Sequence, residues 1–387
     1  MTRVAVVTTS RADYAIYRPV LRALADAPGI DPVLVVVGMH LSAAHGETVR
    51  DIEADGYPIA ARIPLPLEDD TPGGTTRATA AALEGYAAWL ERDRPDLLVV
   101  LGDRYEMHAA ALAALPAKVP VVHLHGGERT EGAFDEALRH GITKLAHLHC
   151  AATSEAAARI RQLGEEPWRV TITGAPGIDA LLAAPTISAA DLAARVGLPP
   201  APPPLLVTHH PATLTADPVA EVDELLAALG DVDHPVLFTA PNADPQGRAV
   251  RARIEAFVAG RASAVLVTNL GHELFASVLS WAAAMVGNSS SGLIEAPTFG
   301  LPVVNVGSRQ DGRMRGANVI DVEPRRDAIA AGIRRALEPA FRASLAGAPN
   351  PYGDGQAGPR IAALLSSVVL DDHLVVKRFC DLDVVPA

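Results

Sequence analysis

Leu97-Leu-Val-Val-Leu-Gly-Asp-Arg-Tyr-Glu106 sets five uninterrupted apolar residues directly against a glycine and four polar or ionisable side chains. An apolar run with no polar alternation suits a parallel strand buried on both faces. Similar β-branched runs recur at Val4 to Thr8, Val33 to Val37, Val119 to Leu124 and Val170 to Thr173, separated by Ala-rich segments long enough to be crossover helices. The alternation predicts a doubly wound α/β sheet. Such sheets bind ligands outside the carboxyl ends of their strands, so the polar residues after each run are the first candidates for a site.

The alternation restarts at Leu205 to Thr208 and continues through Val236 to Thr239, Ala264 to Thr268, Ala282 to Val286 and Val303 to Val306. Between the halves, Leu198-Pro-Pro-Ala-Pro-Pro-Pro204 can be neither helix nor central strand and reads as an extended connector. The expected organisation is an N-terminal Rossmann-like domain, 1–197, carrying catalytic residues. A linker, 198–204, and a second Rossmann-like domain, 205–368, follow. A tail, 369–387, is expected to pack back on the first domain. The two domains should face a cleft.

Composition narrows the function. With 387 residues, 49% of them hydrophobic, the chain can fill two cores, which excludes intrinsic disorder. A formal net charge of −12 leaves no global field for a nucleic-acid backbone or an anionic membrane, so a phosphate ligand must be held by local arginines. Cys150 and Cys380 are too few for a disulfide framework or a cysteine metal site. No apolar run approaches the roughly 18 residues of a membrane span, and no signal-peptide pattern precedes Val4. A soluble cytoplasmic protein is expected.

The second half offers an anion site. After Val286 comes Gly287-Asn-Ser-Ser-Ser-Gly292, then a segment of helical character through Glu295 to Gly300. Free N–H groups and the hydroxyls of Ser289, Ser290 and Ser291 at a helix start could hold a diphosphate. Arg309, after the next strand, could grip the same phosphates in bidentate fashion, and Glu295 could accept both hydroxyls of a ribose. Thr208-His209-His210-Pro211 and Pro241-Asn242 end two further strands. Adjacent histidines on an extended segment point opposite ways and no third ligand is suitably spaced, so no metal is expected.

The first half gathers titratable groups. Gly102-Asp103-Arg104-Tyr105-Glu106 and His125-Gly126-Gly127-Glu128 close neighbouring runs, and Thr8-Thr9-Ser10-Arg11-Ala12-Asp13-Tyr14 closes another. Arg11 could close over a phosphate. Acids, bases and arginines together at strand ends suit proton chemistry on a bound ligand. A helix is expected from about Asp135, with Asp135–Arg139 and Glu136–His140 as i,i+4 pairs, the pattern of a salt-bridged surface helix.

With these motifs on the page, the chain resembles the hydrolysing UDP-N-acetylglucosamine 2-epimerases, which supply N-acetylmannosamine-type sugars for sialic and related nonulosonic acids. The resemblance spans nearly the whole chain. It rests on Ser10-Arg-Ala-Asp-Tyr14, Gly102-Asp-Arg104, His123-Leu-His-Gly-Gly-Glu128, Arg139-His-Gly-Ile-Thr-Lys144, Pro241-Asn242, Gly287-Asn-Ser-Ser-Ser-Gly292 and Tyr352-Gly-Asp-Gly355. Non-hydrolysing relatives open with a Gly-Thr-Arg-Pro-Glu type of segment where this chain has Ser10-Arg-Ala-Asp.

The resemblance implies the two-domain glycosyltransferase-B fold, a UDP-sugar substrate, no cofactor, and a homodimer or homotetramer. It implies UDP contacts from Arg11, Arg104, His210, Ser289, Ser290, Glu295 and Arg309, with Asn242 near the nucleotide, and catalytic roles for Asp103 and Asp135. Where some members carry a catalytic glutamate, this chain has His125. Members with histidine there include enzymes acting on UDP-2,4-diacetamido-2,4,6-trideoxyglucose, on the way to legionaminic acid. The base at sugar C2 is therefore Asp103, His125 or Asp135, with Glu128 beside them. The competing readings are a UDP-sugar glycosyltransferase of the same fold and a non-catalytic UDP-sugar sensor. The carboxylates of the first half disfavour both.

Overall fold

The computed structural model describes residues 1–69, 71–129, 134–211, 217–241, 246–268 and 270–381. The chain forms two compact units: Met1–Ala180 joined by the segment from Gly355 onward, and Leu181–Asp354.

The first unit is built on β1 (Thr2–Thr8), β2 (Ile30–Val37), β3 (Ile59–Ile63), β4 (Leu97–Leu101), β5 (Val121–Leu124), β6 (Leu148–Ala151) and β7 (Val170–Ile172). They pair in parallel in the order β3-β2-β1-β4-β5-β6-β7. Val4 to Val7 and Leu97 to Val100 are fully buried, which is why these strands carry no polar alternation. Strand order reverses between β1 and β4, and the register sets Leu101 beside Leu124. The turns after β4 and β5 therefore leave the sheet at one level.

The second unit repeats the plan. It contains β8 (Leu205–Thr208), β9 (Val236–Thr239), β10 (Ala264–Val267), β11 (Ala284–Gly287), β12 (Val303–Val306) and β13 (Val319–Val322), all parallel, in the order β10-β9-β8-β11-β12-β13. Its order reverses between β8 and β11. Each unit is thus a doubly wound α/β sheet with a switch point at its centre. No described helix is long and apolar enough to cross a membrane.

Three strands escaped the sequence reading. β3 and β13 are short edge strands with Arg62 and Asp321 inside them, and β6 is Leu-His-Cys-Ala, with no β-branched residue.

The unit boundaries also differ from the expected ones. The Pro-rich stretch 198–204 lies inside the second unit. The helix Ala189–Val196 buries Leu192, Ala193 and Val196, with Leu198, against Leu206, Leu279 and Trp281, and Trp281 Nε1 donates to the Pro200 carbonyl at 3.3 Å. Burial of that apolar face, rather than proline stiffness, assigns 181–204.

The chain then returns to the first unit earlier than 369. The helix Ala357–Ser367 is held at its start by Asp179, which accepts from the Ala357 and Gly358 amides at 3.1 and 2.8 Å. Farther on, the buried Arg169 guanidinium donates to the carbonyls of His373, Leu374 and Val376. Lys377 reaches buried Glu165 at 2.7 Å. The Cys380 amide donates to the Gly164 carbonyl at 3.0 Å.

Candidate active site

At the carboxyl end of β1, Ser10 caps the helix Arg11–Asp26, its hydroxyl accepting from the Asp13 amide. Asp13 turns back to Thr9, at 2.5 Å from its hydroxyl and 3.3 Å from its amide. Arg11, in the first helical turn, is exposed. Tyr14 serves packing: its hydroxyl donates to Asp55 at 2.7 Å.

After β4 the chain turns at Gly102, whose φ of +70° is a left-handed geometry that side chains resist. Asp103 and Arg104 then lead into the helix Tyr105–Ala114. Arg104 folds onto Glu106 in bidentate fashion, 2.7 and 3.1 Å, and Glu106 is fully buried. A third of the Arg104 side chain remains exposed. The Glu106 carboxylate is what orients this arginine.

After β5 comes a strained residue. His125 adopts φ +60°, uncommon for a side chain with a Cβ and a feature that concentrates at functional sites. Its Nδ1 lies 2.6 Å from Glu128 Oε1. Its Nε2 is buried and has no hydrogen-bond partner among the described residues. Burial pulls the imidazole pKa down, but the Glu128 carboxylate and, behind it, Asp103 outweigh burial and hold it raised. His125 with Glu128 is therefore an oriented acid–base pair whose other ring nitrogen is buried and, among the described residues, unpartnered.

The helix Asp135–Leu145 is not the surface helix its i,i+4 pattern suggests. Arg139 is only 3% exposed. It reaches the Asp103 carboxylate with Nη2 and Glu136 with Nη1, at 2.6 Å from the latter. Glu136 does keep His140, at 3.0 Å. Burial and neighbouring Asp103 raise the pKa of Asp135, against the pull of Arg139 and Arg104. The first unit thus brings Asp103, Arg104, His125, Glu128 and Asp135 within electrostatic reach of one another and adds Arg139. Arg139 was missed because helical spacing assigned it to Asp135, four residues away, whereas the strand register makes Asp103 its partner.

The second unit supplies a different set of groups at β8, β11 and β12. Gly287, at the end of β11, is demanded by close approach: a Cβ there would lie 2.0 Å from the Thr208 carbonyl oxygen. Asn288 then ties the loops together. Its side chain accepts from the His210 amide at 2.7 Å and donates to the His210 carbonyl at 2.8 Å. Its carbonyl accepts from Gln310 Nε2 at 2.8 Å and from Arg309 Nη1 at 3.3 Å. His210 and Arg309 are thereby fixed to one asparagine, which the sequence reading passed over as part of a small-residue turn.

Ser289 is buried, and its hydroxyl accepts from the Ser291 amide at 3.3 Å. Ser290 and Ser291 are half-buried. The expected helix through Glu295 is a single turn, Ser291–Ile294, with Glu295 as its C-cap. Pro297 then forces the short 3-10 turn Ala296–Phe299. One turn has little macrodipole, so an anion here would rest on local amides, serine hydroxyls and Arg309.

His209 is fully buried and held neutral, pushed down to about 3 by burial and then by His210 and Arg309. Among the described residues no group of His, Cys, Asp and Glu is placed to hold a metal ion. Asn242 lies outside the described residues.

Two sets of strand-end groups, one acid–base and one suited to phosphate, fit what comparison with other proteins shows. A family model described as UDP-N-acetylglucosamine 2-epimerase matches residues 22–366. A Legionella pneumophila protein named UDP-N,N'-diacetylbacillosamine 2-epimerase (hydrolyzing) is 37% identical over 96% of this chain and 97% of its own. A Campylobacter jejuni GDP/UDP-N,N'-diacetylbacillosamine 2-epimerase (hydrolyzing) is 33% identical over 83% of this chain and 84% of its own. In fold, a crystal structure from Listeria monocytogenes superposes with a TM-score of 0.78 at 18% identity, covering 94% of this chain and 96% of that one. Sequence along most of the chain and architecture in both units agree: this chain belongs to the UDP-N-acetylglucosamine 2-epimerase family.

Proposed function

We propose that the chain is a hydrolysing 2-epimerase that converts UDP-2,4-diacetamido-2,4,6-trideoxyglucose, the UDP-N,N'-diacetylbacillosamine of the relatives' names, to UDP and the free manno-configured sugar. The observation that carries the reading is the His125–Glu128 pair beside Asp103, with His125 Nε2 buried and unpartnered among the described residues. A nucleotide sensor has no use for such a pair, and a glycosyltransferase reacts at C1 alone.

The C2 hydrogen of an intact pyranose is not acidic. It becomes so as the C1–O bond breaks, the electron pair leaving with the β-phosphate oxygen of UDP. Arg309, Ser289 and the amides after β11 are suited to stabilise that departing charge, and Arg11 and Arg104 are the cationic groups of the first unit for the same task. Asp103 takes the C2 proton, and the C–H electrons form the C1=C2 bond of a 2-acetamidoglucal. Water then adds its oxygen to C1 while the His125 imidazolium, charged with the help of Glu128, delivers a proton to the opposite face of C2. Asp135 accepts the proton lost by water, His125 regains a proton as Asp103 and Asp135 give theirs up, and the one proton left over goes to solvent with UDP. Every atom is accounted for: substrate plus water gives UDP plus a C2-inverted sugar.

The support for the diacetamido sugar is His125 itself together with the two relatives' names. Incubation with UDP-2,4-diacetamido-2,4,6-trideoxyglucose and, separately, UDP-N-acetylglucosamine, with the released sugar identified by NMR, tests it. Release of the manno-configured diacetamido sugar is expected. Turnover of UDP-N-acetylglucosamine alone would move the substrate to that sugar, and a gluco-configured product from either would remove the epimerase reading.

A further inference from the structure

Beneath the acid–base groups lies a histidine that the mechanism leaves unused. His123, in β5, is fully buried. Its Nε2 is 2.8 Å from the Gly102 carbonyl oxygen, and its Nδ1 is 3.3 Å from the Thr143 hydroxyl, which itself lies 3.1 Å from the Arg139 carbonyl oxygen. A Cβ on Gly126 would come within 2.7 Å of Nδ1, so the turn carrying His125 rests directly on the ring. A carbonyl can only accept, which places the ring proton on Nε2 and leaves Nδ1 a lone pair; the one Thr143 hydroxyl proton is donated to the Arg139 carbonyl or to Nδ1, so the ring meets the helix of Arg139 through its contact with Thr143. Gly102 is pinned on its other side as well, its amide donating to the Leu124 carbonyl at 2.9 Å.

We propose that His123 is a positioning residue for the C2 chemistry: by bonding the Gly102 carbonyl it fixes the left-handed turn from which Asp103 projects, and through Thr143 and Gly126 it holds that turn in register with Arg139 and His125. The proposal rests on the epimerase reading above. Gly102 needs such a strut. A glycine at φ +70° with nothing within 4 Å of its absent Cβ has no side-chain packing to hold it, so its two peptide hydrogen bonds are what set the direction of the next residue. Burial pushes the His123 pKa down to about 3, so the ring stays neutral through the working range and its donor is always present. One ring thus joins the three segments that carry Asp103, His125 and Arg139.

The test compares His123→Phe, which keeps volume and loses the donor, with His123→Asn and His123→Gln. The Gln amide nitrogen can stand near the place of ring Nε2, and the Asn amide falls short of it. Turnover should fall roughly 10- to 100-fold in the Phe and Asn variants, the scale of a small misplacement of a reacting group. KM and UDP affinity should be unchanged, and Gln should recover most of the lost rate. Phe and Asn variants with the parent's kcat would overturn the proposal, and so would equal turnover of the Gln and Asn variants. If the Phe variant does not fold, the Gln–Asn comparison decides. A parent enzyme that puts no solvent hydrogen on C2 would refute the epimerase reading instead, so the two failures are distinct.

Discussion

Lowering the pH should destabilise the first unit before its ordinary carboxylates titrate. His40, His123 and His147 are buried in it and held neutral, pushed down to about 4, 3 and 4, in each case chiefly by burial. In the unfolded chain each takes a proton near the ordinary value of 6.5. The folded pKa is lowered, so the stability each residue contributes is intact above about 6.5 and is lost as pH falls towards 4 or 3. Between pH 6.5 and 5 the loss is about 1.5 kcal/mol per histidine, about 4 to 5 kcal/mol for the three, against a total of roughly 5–15 kcal/mol for a typical domain. Buried His149 and half-buried His108, also held below the ordinary value by burial, add to the same slope, and His125, with its raised pKa, works in the opposite direction. Urea unfolding followed by circular dichroism at pH 7.5, 6.5, 5.5 and 5 measures the slope, and His147→Gln should remove about 1.5 kcal/mol of the loss between pH 6.5 and 5. A stability that stays level between pH 6.5 and 5 would show that the burial argument is wrong. The consequence for kinetics is direct: an acid limb towards pH 5 and below carries this loss of stability, and catalytic titrations must be read above it.

Other outcomes follow from the site. Glu128→Gln removes the carboxylate that raises the His125 pKa, so the alkaline limb of kcat should move to lower pH, with kcat reduced by up to roughly 10²- to 10⁴-fold; an unchanged pH profile would separate Glu128 from the chemistry. Arg139→Lys cannot span Asp103 and Glu136 with one planar fork, and kcat should fall roughly 10- to 100-fold while UDP affinity holds. Parent-like turnover in that variant would make Arg139 a packing residue only. Arg309→Ala should weaken UDP binding, measured by calorimetry, by about 1.5–3 kcal/mol, the value of a charge-assisted contact; UDP binding equal to the parent's would displace the phosphate assignment.

Much of the fold is legible in the sequence because the central strands are buried on both faces. Val4 to Val7 and Leu97 to Val100 can only be parallel interior strands, and their ends point to the site. β6 is illegible because Nε2 of His149 within it is paired with Glu165, 3.1 Å away, a tertiary partner that no local pattern announces. The site is legible where strand ends carry unusual chemistry, as at Asp103 and His125. It is illegible where a residue's role depends on register between distant segments. Arg139 reads as half of a helical pair until β4 sets Asp103 against it, and Asn288 reads as turn filler until its carbonyl and amide are seen to hold three loops. The unit boundary fails for a related reason: proline marks stiffness, while membership is decided by the apolar face of the helix Ala189–Val196.

The central claim is that a proton leaves C2 and a different one returns to its other face. Turnover of the UDP-sugar in deuterium oxide, with the released sugar analysed by mass spectrometry and proton NMR, measures this directly. The account predicts a manno-configured product carrying one deuterium at C2 in every molecule formed. A gluco-configured product with protium at C2 would contradict it.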